Sequence, residues 1–167
     1  MLIQDEPSGD TFMLIATLGF MVREGHVLLA EKKKAQIGTG TLNGAGGKQE
    51  YGESLEECLV RESKEEIGVI PTEYEEVAVI RFFAGDEPDF MVHIYLITEW
   101  VGEPGETVFM HSPVWYPLNA LPYERMLESD REWLGKLFAG EKFRADMFYA
   151  EQAKRFLPEK TRYYVFE

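Results

Sequence analysis

Cysteine, histidine and positive charge are all scarce in this 167-residue sequence. Cys58 is the only cysteine, so no intrachain disulfide can close and no cysteine zinc site is supported. The histidines, His26, His93 and His111, show no metal-ligand spacing. No apolar run is long enough to cross a bilayer. The opening residues, MLIQDEPSGD, lack the basic start and apolar centre of a secretory signal. These absences lead us to expect a cytoplasmic protein with no membrane partner. Lysine and arginine total 17 against 30 acids, for a net charge of -13. Such a chain repels a nucleic acid polymer, and its one short basic run is Lys32-Lys33-Lys34. A small phosphate compound escorted by divalent cations fits better, because the metal supplies the missing positive charge.

What is present suits a packed globule. Apolar residues make up 45% of the chain and aromatics 13%, and no repeat, low-complexity tract or linker interrupts it. We therefore expect one domain over residues 1–167. Thr11 to Val22 and Val27 to Ala30 read as strands around a turn at Arg23-Glu24-Gly25-His26. Lys34 to Gly47 holds five glycines and no periodicity, and reads as a loop. Ser54 to Ile67 reads as a helix, with Ser54 or Glu53 to cap it and Gly68 to end it. Glu76 to Phe83 and Phe90 to Trp100 read as strands joined by a turn at Gly85 to Asp89, the second buried on both faces. A short strand at Val114-Trp115-Tyr116, a helix from Ser129 or Asp130 to about Ala139, and late strands at Lys142 to Tyr149 and Arg162 to Phe166 complete the pattern. Strands and helices interleave, which predicts an α/β or α+β sandwich.

The segment GGKQEYGESLEECLVRESKEEIGV, Gly46 to Val69, carries more acid than a short helix needs. With Leu55 set at zero and a turn of about 100° per residue, Leu59 falls at about 40°, Glu66 at about 20°, Glu62 at about 340° and Glu65 at about 280°. Glu62 and Glu66 thus share the side that Leu55 and Leu59 should bury. Buried carboxylates are expensive alone, and clustered ones repel. A divalent cation with a preference for oxygen relieves both. The glycines just before allow a backbone to approach a phosphate or metal closely.

Gly47, five residues, Glu53, seven residues, and then Arg61-Glu62-Ser63-Lys64-Glu65-Glu66-Ile67-Gly68-Val69 resembles the signature box of the Nudix hydrolase family. Ser63 departs from it, standing where the family prefers an aliphatic residue. The resemblance implies an α/β/α sandwich with a mixed central sheet and hydrolysis of a nucleoside diphosphate linked to another group. It implies that Glu62, Glu65 and Glu66 hold Mg²⁺ (or Mn²⁺), helped by the Gly46 backbone carbonyl, and that Arg61 and Glu53 orient the cluster.

Further matches at Thr17, Lys32, Leu42 to Lys48, Pro113 to Leu118, Leu121-Pro122 and Ser129 to Trp133 resemble the MutT-homologue branch, which sanitises oxidised purine nucleoside triphosphates. That likeness implies that Asn43 and Asp130 hydrogen-bond the base from opposite sides, and that Thr17 and Lys32 line the nucleotide site. Gly46, Gly47 and Lys48 complete the expected substrate contacts, although Lys48 could equally pair with a box glutamate. Against the branch pattern, Leu127, Leu42 and Ile37 replace aromatics, Ser129 replaces the first of two acids, and Met110 replaces an extra glutamate, for which Glu106 and His111 are the candidate substitutes unless the box alone suffices. The expected reaction releases a monophosphate and pyrophosphate, from a monomer or homodimer. Two rivals remain: a pyrophosphatase for nucleotide sugars, ADP-ribose or dinucleoside polyphosphates, and a nucleotide-binding regulator with little turnover.

Overall fold

Glu24 and Gly25 both take positive φ, 49° and 75°, the tight turn whose twist suits a two-residue hairpin. They join β1 (Met13–Arg23) to β2 (His26–Glu31), with Val22 opposite Val27. The structure, a computed structural model, describes residues 13–35, 38–85, 89–151 and 154–167. Ile37, the first two residues of the expected opening strand and the centre of the expected turn at residues 86–88 lie outside these.

Seven strands run in the order β10-β8-β5-β6-β1-β2-β3. They comprise β3 (Leu42–Asn43), β5 (Ile70–Phe83), β6 (Asp89–Val101), β8 (Phe143–Ala150) and β10 (Arg162–Tyr164) beside the first hairpin. Off this path, β4 (Ala45–Lys48) pairs with β1, β7 (Val114–Pro117) with β2, and β9 (Arg155–Phe156) with β8. The sheet is mixed: β1 runs parallel to β6 and β5 parallel to β8, while the other pairs are antiparallel.

Successive strand residues face opposite sides, so Phe20 and Met21 enter different cores. Phe20, Ile80, Ile94 and Met147 pack with Trp133, Leu134 and Leu137 of helix α2 (Asp130–Phe138). Met21, Tyr95 and Ile97 pack with Leu59 and Ile67 of helix α1 (Leu55–Ile67). One helix on each face gives the expected α/β/α arrangement. Burying each large aliphatic side chain of these faces contributes about 1.5–3 kcal/mol. Among the described residues, no helix is long and apolar enough to cross a membrane.

Helix α1 has the predicted ends. The Ser54 side chain accepts the Glu57 N–H, and Gly68 closes the helix at φ 80°. Three readings need correction. The glycine-rich stretch is not all loop, because it contributes β3 and β4. Strand β5 starts at Ile70, before Pro71, which sits near its end beside a register shift where a missing N–H does little harm. Strand β6 is buried on both faces only around Ile94 and Tyr95.

Candidate active site

β4 can lie against β1 because Gly46 and Gly47 have no Cβ. A methyl on Gly46 would run into the Thr17 carbonyl, and one on Gly47 into the Glu62 carboxylate. That close approach brings the β4 backbone under helix α1. The Gly46 N–H donates to Glu66 Oε1 at 2.7 Å, so the amide of this glycine acts toward the acid cluster. Cys58, fully buried, meets the Thr17 hydroxyl at 3.2 Å in the same layer. Burial raises its thiol pKa.

Arg61 organises the acids. Its Nε donates to Glu53 Oε1 at 2.6 Å and its Nη2 to Glu53 Oε2 at 3.1 Å, a bidentate lock. Nη1 donates to Glu62 Oε1 at 2.8 Å and to Glu65 Oε2 at 3.2 Å, and Nη2 to the Lys48 carbonyl at 2.9 Å. The hydrogen bond from Arg61 holds the Glu53 carboxyl down at about 2. The same bond raises the Arg61 guanidinium above its usual range. Desolvation dominates elsewhere in the cluster. It raises Glu62 despite Arg61, and lifts Glu66 to about 7 despite the Gly46 N–H.

One cavity of about 520 Å³ joins this cluster to the rest of the predicted site. Glu62, Glu65, Glu66 and Arg61 line it together with Gly46, Gly47 and Lys48. Thr17, Lys32, Asn43 and Asp130 line it too. Glu53 does not, and reaches the site through Arg61. Glu65 is the exposed member of the three. Thr17 is buried with its hydroxyl on Cys58, so its place in the lining comes with a structural bond. Lys48 pairs with no box glutamate among the described residues, which leaves its ammonium for the cavity. Lys32 feels Glu66, Asp130 and Glu62, but desolvation outweighs them and lowers its pKa.

Asn43 Oδ1 accepts the Gly44 N–H at 2.8 Å, so the turn role and the cavity role coexist. Asp130 Oδ2 accepts the Leu127 N–H at 3.2 Å, and burial lifts the carboxyl to about 7. The Trp133 indole N–H lies near enough to favour the Asp130 anion slightly, yet sits outside hydrogen-bond geometry to any described residue. The walls include Leu127, at the position where the branch pattern has an aromatic, together with Phe82, Phe90, Phe109 and Val92, aromatic and apolar surface from strands and loops that sequence reading did not connect to the site. Tyr149 was also missed. It lines the cavity, and its hydroxyl meets Ser129.

Neither substitute for the extra glutamate enters the cavity. Met110 is fully buried in the α1-side core. His111 lies 3.3 Å from Glu31 and 3.5 Å from Glu106, and Glu106 pairs with Lys33 at 2.8 Å, outside the lining.

Residues 13–137 match the family model of the NUDIX domain. The chain is 33% identical over 130 residues to the oxidized purine nucleoside triphosphate hydrolase of Danio rerio, covering 77% of this chain and 82% of that one. It is 32% identical over 137 residues to the enzyme of the same name from Mus musculus, covering 81% and 86%. Its fold matches a crystal structure of a MutT protein from Bacillus halodurans with a TM-score of 0.76 and 22% identity, over 90% of this chain and 97% of that one.

Proposed function

The chain belongs to the NUDIX domain family of hydrolases, and on that footing we propose that it cleaves a purine nucleoside triphosphate, oxidised purines included, to monophosphate and pyrophosphate. We take residues 1–167 to act as one catalytic domain. The observation that carries the reading is a shared cavity. Carboxylates suited to a divalent metal and polar groups suited to a base edge, Asn43 and Asp130, line one space. Lys32 interacts electrostatically with members of both groups. The names of the relatives from Danio rerio and Mus musculus support the same substrate class.

The donor set fits Mg²⁺ or Mn²⁺. Glu62 and Glu66 are oxygen ligands whose charged forms burial disfavours, and Glu65 is within reach of the same arginine. Among the described residues they do not converge as a finished cage. A divalent cation bound to Glu62, Glu65 and Glu66 would neutralise phosphate charge and lower the pKa of a water. The chain's own groups prepare for this. Glu53 locks Arg61, Arg61 holds Glu62 and Glu65, and the Gly46 N–H fixes Glu66. Lys32 and Lys48 supply cations where the triphosphate would lie. Asn43 and Asp130 bind the base, and the apolar walls exclude water from it.

The test is a substrate screen with Mg²⁺ or Mn²⁺: 8-oxo-dGTP, normal and other oxidised triphosphates, ADP-ribose and nucleotide sugars, with products identified. Pyrophosphate from purine triphosphates is the expected result. Preference for a sugar-linked diphosphate would overturn the substrate class, and absence of all turnover would overturn the catalytic reading.

A further inference from the structure

The hydroxyls of Tyr149 and Ser129 form a pair with one proton too many. Tyr149 Oη accepts the Ser129 N–H at 2.9 Å, and it donates to Ser129 Oγ at 2.6 Å. Two hydroxyls carry two protons, and one O···O line holds only one. With the phenol as donor, the serine proton is stranded in a residue with 0% exposure and no other partner among the described residues. Hydroxyl protons rotate at little cost. Reversing the bond gives the serine proton the phenol oxygen and frees the phenolic proton. Tyr149 lines the cavity and Ser129 does not, so the freed proton belongs to a ligand. The phenol oxygen, accepting from both Ser129 groups, then has no lone pair to offer. It becomes a donor only.

We propose that Tyr149 is a specificity-determining residue, which uses this donor to select bases that carry a lactam edge, a ring carbonyl beside a ring N–H. The inference rests on the purine triphosphate reading above. Asp130 follows Ser129 directly and lines the same cavity, offering an acceptor for the ring N–H. The Trp133 indole N–H, 1% exposed, lies beside Asp130 but outside hydrogen-bond geometry to any described residue, and is a second donor open to a carbonyl. An exocyclic amine at the same place would need Tyr149 as acceptor. That returns the phenolic proton to Ser129 and strands the serine proton again, a buried donor without an acceptor. Oxidation at C8 creates a lactam edge on any purine, and 6-oxopurines possess one at C6. Adenine has none. One hydroxyl pair would therefore favour 6-oxopurines and C8-oxidised adenine over adenine itself, without an aromatic at position 127 and without a second carboxylate at 129.

Three nucleotides of similar size separate the cases: dATP with no lactam edge, 8-oxo-dATP with one at C8, and dITP with one at C6. The wild-type protein is expected to show kcat/KM about tenfold higher for at least one lactam-bearing compound than for dATP. Tyr149→Phe should lower the kcat/KM ratio of that lactam-bearing compound to dATP by about tenfold, toward one. Ser129→Ala frees a lone pair on the phenol, so dATP turnover should rise while the lactam compounds hold their rate. Equal wild-type rates for all three would overturn the proposal. So would variants that lower all three alike, which would mark the pair as structural. Turnover of nucleotide sugars but of none of these triphosphates would instead remove the substrate reading, and the proposal with it.

Discussion

Asp130 should make the protein less stable as the pH rises, and Asp130→Asn should remove that penalty. The carboxyl is 3% exposed, and burial lifts it from 3.8 to about 7, against weaker pulls downward from the Leu127 N–H, Lys32 and Trp133. In the unfolded chain the group ionises near its ordinary value. Between about pH 4 and pH 7 the native state therefore binds the extra proton, and stability falls with rising pH across that window. A difference of about three pKa units corresponds to about 4 kcal/mol, fully lost above pH 7. Glu66, also lifted to about 7, adds a loss of the same sign. The comparison must then be between proteins and not within one. Asparagine is close in shape, cannot ionise, and keeps an oxygen for the Leu127 N–H. Thermal melts of both proteins in metal-free buffer from pH 5 to pH 8 make the test. The variant should gain on the wild type steadily, by an amount on the order of 10 °C at the upper end. Parallel curves across the whole range would mean that Asp130 is ionised in the native state at pH 5, and would refute the reasoning.

Glu65→Gln and Glu66→Gln should each cut kcat by at least about a thousandfold with Mg²⁺ present. Far-UV circular dichroism should stay unchanged, since the amide oxygen introduced by Glu66→Gln can still accept the Gly46 N–H. Near-normal turnover in both would sink the metal assignment. Gly47→Ala places a methyl against the Glu62 carboxylate, and its displacement should lower turnover about a hundredfold at saturating substrate. Ser63 is fully buried and its hydroxyl has no partner among the described residues, so Ser63→Ala should raise stability by about 1 kcal/mol in urea unfolding; a loss instead would reveal a bonded hydroxyl.

Local signals were legible in the sequence and distant pairings were not. The cap at Ser54, the stop at Gly68 and the hairpin at Glu24-Gly25 depend on residues a few positions apart. The helix angles placed Glu62 and Glu66 on the apolar side for the same reason. Strand β4 escaped because its reason for existing is the backbone of β1, far earlier in the chain. Its glycines read as loop formers when they are close-approach residues. Tyr149 escaped because a strand tyrosine reads as core, and only folding brings it to Ser129. The acid cluster of the site was visible before folding because it lies on one helix. The base end was visible only in part: the family resemblance named Asn43, Asp130 and the Leu127 position, which line the cavity, while the walls from β5, β6 and β8 were not legible.

The burial of Cys58 beside Thr17 bears on chemical durability. Peroxide attacks thiolates that are exposed and of low pKa, and this one thiol is neither. Met21, Met110, Met126 and Met147 are likewise buried. A hydrolase proposed to clear nucleotides made by oxidation would thus keep its one thiol and these four thioethers away from the oxidant, while Met13 and Met91, half-buried, are the more open sulfurs among the described residues.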